Sequence, residues 1–225
     1  MCIRDRLTGA LQILGAEHVD AEVARLHAVL GHAFLYRGED ERAGASLETA
    51  LRFAQELALP EVQSGALIDK GLMCLQDNRP DEARALLGAA LEIAERHELI
   101  ERAHNALGNS GMLGMQWDQP GADRQFVRAL ALARRLGDRF RESISAGNLM
   151  FLHVLSGHWD EAETMAPGLL EELEDRPGVE YVRWPLAVLH TLRGELPEAR
   201  EDLAGMVGWE AVSYTHLTLP TNREV

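Results

Sequence analysis

Apolar and polar residues alternate along most of this chain with the period of an α-helix, and the whole pattern returns about every forty residues. The clearest column holds small residues at intervals of 40, 39, 40 and 37 positions: Ala43, Ala83, Ala122, Ala162 and Ala199. Seven residues later stands a second column: Ala50, Ala90, Ala129, Leu169 and Met206. Five residues before each alanine lies a turn column: Gly38, Asn78, Trp117, Gly157 and Gly194. Three columns in one phase predict five copies of a single structural unit.

Each repeat predicts two helices joined by a turn. The first helix of repeat one carries apolar residues at helical spacing, at Leu26, Val29, Leu30 and Phe34. The second helix of repeat two carries one apolar stripe, at Ala83, Leu86, Leu87, Ala90, Leu91 and Ala94. Pro80 and Pro197 suit the first turn of a second helix, where the missing N–H costs little. The sequence therefore predicts an all-α protein.

The spacing small–x₃–large–x₂–small in the second helix, with a small residue twelve positions earlier, is similar to the tetratricopeptide repeat. Repeats one and two match at Gly31, Ala43, Leu47 and Ala50, and at Gly71, Ala83, Leu87 and Ala90. Repeat three keeps Ala122, Phe126 and Ala129 but has Ser110 at the glycine column. Repeat four has Met150 and Leu169 where small residues are usual. Repeat five matches at Leu186, Ala187, Ala199 and Leu203, while Pro185 predicts a kink or a late start of its first helix.

The resemblance implies a right-handed superhelical solenoid of stacked antiparallel helix pairs. Repeats of about forty residues resemble the variant in large bacterial regulators of the MalT-like, LuxR-type class, and also the tails of some class III nucleotide cyclases. The expected array spans residues 7–211. Its repeats are expected at 21–59, 61–100, 101–138, 139–178 and 180–211.

Both ends of the chain differ from the array. Residues 1–6, "MCIRDR", and 212–225, which include "SYTHLTLPTNREV", resemble translated sequencing-adapter artefacts, and the second segment predicts irregular structure. Residues 7–14 match the end of an earlier second helix. We therefore expect an array cut at both ends, with unmatched apolar faces that favour fraying and self-association.

Charge and composition narrow the partners. The net charge is −14 and Lys70 is the single lysine, which disfavours binding to nucleic acid or to anionic membranes by this segment. Two cysteines, Cys2 and Cys74, give no disulfide framework and fit a reducing compartment. With neither a signal peptide nor an apolar span of membrane length in the sequence, we expect a cytoplasmic protein.

No catalytic motif stands out in the sequence. Phosphate-binding loops, zinc-protease motifs and nucleophile elbows have no match. His97 and His104 are expected to lie on either side of a helix boundary, and the carboxylates of residues 171–175 fit a solvated helix end. The sequence predicts no enzyme activity, no metal and no cofactor for this segment.

In tetratricopeptide arrays the first helices usually line the concave face. Carried over by position, that face would show Arg25, His32, Tyr36, Asp69, Gln76, His104, Asn148, Phe151, Tyr181 and Trp184. Aromatic and polar side chains on one concave surface suit a protein segment, a peptide or a small effector. The alternative is that they merely cover a partly exposed face.

Three functions follow from these observations. The first is a binding or effector-sensing scaffold, a fragment of a larger bacterial signalling or transcriptional regulator, whose partner is another protein or the missing domains of its own chain. The second is the regulatory tail of a nucleotide cyclase or ATPase whose catalytic domain lies outside this fragment. The third, a helical-bundle enzyme, has no convergent catalytic residues to support it.

Overall fold

The computed structural model describes residues 9, 18–117, 120–173 and 177–206. These residues form ten α-helices and no β-strand: α1 (Ala21–Leu35), α2 (Asp40–Glu56), α3 (Pro60–Gln76), α4 (Pro80–Arg96), α5 (Ile100–Gln116), α6 (Ala122–Leu136), α7 (Arg139–Leu155), α8 (Trp159–Leu173), α9 (Val179–Arg193) and α10 (Leu196–Ala204). The all-α prediction is therefore confirmed for the described residues. Residues 1–6 and 212–225 lie outside them, as does the segment 7–14 apart from Gly9. None of the helices in the described ranges has the length and apolarity to cross a lipid bilayer.

The turn column marks residues that reverse the chain in the left-handed backbone region. Gly38, Asn78, Gly157 and Gly194 have φ of +69°, +57°, +78° and +81°. At Gly38 the N–H groups of residues 38 and 39 donate to the carbonyls of Leu35 and Phe34, which is the Schellman arrangement that ends a helix. Glycine and asparagine tolerate this conformation best, and this explains why they recur at the column. Trp117 is the exception, with φ of −112°.

The turns between repeats use the same geometry without the same residues. Ala58 and Glu98 have φ of +52° and +55°, and the next residue of each turn donates back to the carbonyls of Ala54 and Ala94 at 2.8 Å. Alanine and glutamate do not predict a left-handed residue, so no signal in the sequence marks these two turns.

Two compact units make up the chain: an N-terminal unit, Met1–Asp138, and a C-terminal unit, Arg139–Val225. In the N-terminal unit consecutive helices pack in pairs, α1 with α2, α3 with α4 and α5 with α6. Each pair also contacts the next, through α2 with α3 and α4 with α5. The first helices touch in succession as well, α1 with α3 and α3 with α5.

A glycine in each first helix of the N-terminal unit makes room for a large residue of the second helix. A Cβ atom at Gly31 or Gly71 would lie 2.6 or 3.0 Å from the Cγ of Leu47 or Leu87, and both leucines are fully buried. In repeat three this glycine is Gly111, where a Cβ would lie 2.5 Å from the ring of Phe126. The glycine column therefore continues at Gly111. Ser110, which stands twelve positions before Ala122 and was predicted to occupy this column, is one residue earlier.

The C-terminal unit packs its helices through other contacts. Helix α9 contacts α7, α8 and α10. Met150 and Ala166 occupy the glycine and bulky columns with their sizes exchanged, and both are buried. A Cβ atom at Gly147 would collide with the carbonyl oxygen of Tyr181, so the backbones of α7 and α9 are in close contact.

Three apolar residues differ from what the sequence predicts for them. Val29, assigned to the buried stripe of α1, is 49% exposed, and Leu203 in the bulky column is 50% exposed. Pro185 is buried inside α9, which begins six residues earlier at Val179, so the late start expected there is not observed.

Candidate functional site

The strongest candidate site is the surface where α1, α3 and α5 lie side by side in the N-terminal unit. Arg25 of α1 crosses to α3, where its Nη2 donates to Glu61 Oε1 at 3.1 Å, and its Nη1 donates to Glu22 Oε1 at 2.6 Å. The hydrogen bond with Glu61, aided by the charge of Glu22, raises the pKa of Arg25 above its usual value. The guanidinium is therefore held in place by two acceptors.

A second polar contact joins α1 and α3 farther along the same surface. His32 Nδ1 lies 3.0 Å from Asp69 Oδ1, a geometry in which Nδ1–H donates to the carboxylate. Asp69 is 9% exposed, whereas the His32 side chain is 53% exposed. The His32 ring packs on Tyr36 with 4.5 Å between centroids. An imidazole supported on both sides presents a fixed edge to solvent.

Arg102 of α5 lies against Gly65 of α3. Its Cζ atom is 3.0 Å from the position that a Cβ atom of Gly65 would occupy, so the absence of a side chain there creates the space for the guanidinium. Arg102 is half-buried and forms no ion pair or hydrogen bond with any residue that the structure describes. Arg102 is not among the residues predicted for this face, although Gly65 in the interior of α3 was a signal in the sequence for a close approach.

His104 occupies a buried position rather than the expected face. It is 6% exposed, and the equivalent residues of the first two repeats, Ala24 and Ser64, are fully buried. The cause is the register of repeat three, where eleven residues separate Gly111 from Ala122 instead of twelve. Asn105, half-buried and 3.2 Å from His104 through its Oδ1, takes the position equivalent to Arg25.

The other predicted face residues divide between the two units. Gln76 is exposed at the end of α3. In the C-terminal unit Asn148, Phe151, Tyr181 and Trp184 are all half-buried. Burial raises the pKa of Tyr181, whose ring meets Phe140 edge-on at 5.8 Å. These four residues belong to the C-terminal unit, whereas Arg25, His32, Tyr36 and Asp69 lie together in the N-terminal unit.

A polar cluster that the sequence did not reveal joins α9 and α10. His190 Nδ1 lies 2.7 Å from Asp202 Oδ2, and Arg183 Nη1 lies 3.9 Å from Asp202 Oδ1. Asp202 is 7% exposed. Burial raises the pKa of this carboxyl group, opposed by the hydrogen bond and charge of His190. The cluster joins the two helices and fits a structural link between them.

Histidine and carboxylate side chains are potential metal ligands. Within the described ranges no three such side chains converge as a metal site would require. His153 and His158 place their rings edge-on at 5.9 Å beside the α7–α8 turn, where Trp159 Nε1 donates to the carbonyl of Val154 at 3.1 Å.

The fold is similar to a solved helical protein. It matches the crystal structure of BtubC (BKLC) from P. vanneervenii with a TM-score of 0.73 and 19% sequence identity, covering 99% of this chain and 94% of that chain. No family model and no curated protein matches the sequence. At this identity the likeness concerns the fold alone.

Proposed function

We propose that this chain acts by binding, as a scaffold of tetratricopeptide-like helix pairs whose partner lies on the first-helix face of the N-terminal unit. We define this first-helix face by Arg25, His32, Tyr36, Asp69 and Arg102. The partner is a segment of another protein, or of other domains of the same polypeptide, rather than a substrate to be transformed.

Two features of the fold support the scaffold proposal. The glycine and bulky columns are packing positions of the tetratricopeptide pattern, and all three pairs of the N-terminal unit use them. Within the N-terminal unit the contacts α1–α3 and α3–α5, which have no comparable counterpart between α2 and α4 or between α4 and α6, place the first helices closer together than the second helices. A stack with this asymmetry curves so that its first helices line the inner side.

The choice of this face depends mainly on Arg102. Arg25 and His32 already have carboxylate partners, whereas the half-buried guanidinium of Arg102 has none among the described residues. Partial desolvation of an unpaired cation is unfavourable, and a carboxylate from outside would relieve that cost. We therefore propose a partner segment that presents an aspartate, a glutamate or a terminal carboxylate at this point.

A displayed peptide library tests the proposal without knowledge of the natural partner. Peptides that bind the full chain are selected, synthesised and titrated by fluorescence polarisation. We expect acidic peptides whose affinity falls about tenfold or more in Arg102→Gln, since a hydrogen bond to a charged group contributes about 1.5–3 kcal/mol.

Two further variants distinguish binding at the first-helix face from general effects of a substitution. Gly65→Ala keeps the charge of Arg102 but displaces its guanidinium by a few tenths of an ångström, so it should weaken the same peptides less than Arg102→Gln does. Arg200→Gln changes an exposed arginine of α10 and should leave binding unchanged. Selected peptides that bind Arg102→Gln and Gly65→Ala as tightly as the wild type would refute the assigned face.

A further inference from the structure

The two most exposed large apolar side chains in the described part of the chain stand at one position of the repeat. Leu155 of α7 and Leu192 of α9 are 57% and 56% exposed, and each lies two residues before a glycine of the turn column. The same position of α3 holds Gln76, which is also exposed. The position is therefore open to solvent in both units, with a polar residue in one and leucines in the other.

Stacking of further helix pairs does not cover this position. Helix α3 is in contact with the following first helix α5, and α7 is in contact with the following first helix α9. Gln76 and Leu155 nevertheless remain exposed. Leu192, at the same position of the repeat, therefore lies on the same open side and not on the side that packs against a neighbouring pair.

The apolar character continues one turn earlier on both helices. Phe151 and Val188 are half-buried at the position that His32 occupies in α1. Because α7 and α9 pack side by side, these two residues form one strip with Leu155 and Leu192. We call this strip the apolar face and define it by Phe151, Leu155, Val188 and Leu192. A contiguous exposed apolar strip on a folded protein is typical of an interaction surface.

The spacing of the apolar face fits a helix. Phe151 and Leu155 lie four residues apart on α7, and Val188 and Leu192 lie four residues apart on α9. This separation is about 6 Å along each helix axis. A third helix laid along α7 and α9 presents its own apolar side chains at the same spacing when they stand four residues apart. The ten described helices already pack with one another, so such a helix comes from outside them.

Carboxylates surround the end of the apolar face at which the two leucines stand. Asp160 and Glu163 of α8 share the guanidinium of Arg193 at the end of α9, at 3.3 and 2.7 Å. Glu195 adds a third carboxylate at the turn between α9 and α10. Negative charge therefore predominates at this end, as it does in the whole chain, whose net charge is −14. A basic segment is attracted to this end and an acidic segment is repelled.

We propose that the apolar face binds a helix of a separate protein. This helix carries apolar residues four positions apart on the side that meets α7 and α9, and lysine or arginine on the flanking positions. The surface lies in the C-terminal unit and contains none of the residues of the first-helix face, so this inference goes beyond the carboxylate site proposed at Arg102.

Fluorescence polarisation with a synthetic helix tests the proposal on the full chain. The probe is a labelled peptide of about 18 residues, with leucines on one side and lysines on the other. Leu155→Gln combined with Leu192→Gln gives both positions the residue that α3 has at Gln76. The double variant should bind the probe about tenfold or more weakly, because two leucines no longer contribute apolar area to the contact.

Two protein variants serve as controls. Leu196 is 52% exposed in α10 and lies outside the apolar face, so Leu196→Gln should bind the probe like the wild type. Arg102→Gln should also leave this binding unchanged, so the failure of one proposal can be told from the failure of the other. Circular dichroism melts verify that the variants fold, as expected for changes at exposed positions.

Two peptide controls examine the shape and the charge of the partner. A peptide of the same composition in scrambled order has no apolar side and should bind about tenfold or more weakly than the probe. A peptide with glutamate in place of every lysine should also lose about tenfold or more at an ionic strength of about 0.15 M, because its charge has the sign of the protein.

Three results would overturn the proposal. In the first, the double variant binds the probe as tightly as the wild type. In the second, the scrambled or the glutamate peptide binds as tightly as the probe. In the third, sedimentation velocity shows that the wild type alone dimerises and that the double variant does not, which would assign the apolar face to contact between copies of this chain.

Discussion

In the N-terminal unit a glycine of each first helix faces a large side chain of the second, and the arrangement recurs from Gly31 and Leu47 to Gly111 and Phe126. In the C-terminal unit Met150 and Ala166 stand at these columns with their sizes exchanged, and the closest helix contact moves to Gly147 and the backbone of Tyr181. In both units consecutive helices pack against each other. From this contrast we expect packing to depend on the total volume at the two columns rather than on which column holds the large residue.

Truncation of a bulky-column side chain should give the largest difference in stability loss between the two units. Leu87→Ala leaves a cavity among fully buried neighbours and should lower the free energy of unfolding by about 2–5 kcal/mol. Leu203→Ala removes the same atoms at the equivalent position of the C-terminal unit, where half of the side chain is exposed. It should cost about 1 kcal/mol or less. Urea denaturation measures both.

A rescue variant checks the exchange of sizes. Gly71→Met places a large residue opposite position 87 and gives repeat two the order of sizes that repeat four has at Met150 and Ala166. Combined with Leu87→Ala it should recover about 1 kcal/mol relative to Leu87→Ala alone, because the two changes together conserve volume. Losses that simply add would show that the two columns do not share one space.

Glycine replacements should give the next largest difference. In Gly147→Ala the new Cβ meets the Tyr181 backbone, which cannot rotate away, so α7 and α9 must separate at a cost of about 3 kcal/mol. In Gly31→Ala the nearest atoms belong to the Leu47 side chain, which can shift, and the expected loss is about 1 kcal/mol. Thermal and urea melts compare the two.

Gly88→Ala serves as the control for helix propensity. No atom lies within 4 Å of a Cβ at Gly88 in α4, so this variant should gain about 0.5–1 kcal/mol. Equal losses for Gly147→Ala and Gly31→Ala would contradict the distinction between a backbone contact and a side-chain contact.

The smallest expected effect is a pH dependence confined to the C-terminal unit. Burial raises the pKa of Asp202 above its ordinary value of 3.8, so ionisation of this group is less favourable in the folded state than in the unfolded state. Its contribution to stability is present below pH 3.8 and decreases as the pH rises through the folded-state pKa.

Asp202→Asn differs from the wild type by this one titrating group. The free energy of unfolding of the wild type, measured relative to Asp202→Asn by urea melts at successive pH values, should therefore decrease as the pH rises through that window. A difference that increases with pH would mean that the attraction of His190 and Arg183 exceeds the cost of burial.

Prediction from sequence succeeded where one residue type had one physical reason to recur. Ala43 and Ala83 are fully buried, and the glycines of the turn column adopt positive φ because other residues are strained there. No sequence signal pointed to the left-handed conformations of Ala58 and Glu98, which lie in turns between two helices. The assignment of His104 to the exposed face failed because one residue fewer separates the two helices of repeat three.

The helix pairs of this protein could be predicted from its sequence, because apolar periodicity and small-residue columns are local records of which side of each helix is buried. Which polar side chains meet depends instead on how the helices pack. The contacts of Arg25 with Glu61 and of His32 with Asp69 join residues 36 and 37 positions apart, and the position of Arg102 over Gly65 depends on how two helices are set against each other. A rotation of one helix by a single residue, about 100°, exchanges a buried position for an exposed one, and composition alone does not fix that angle.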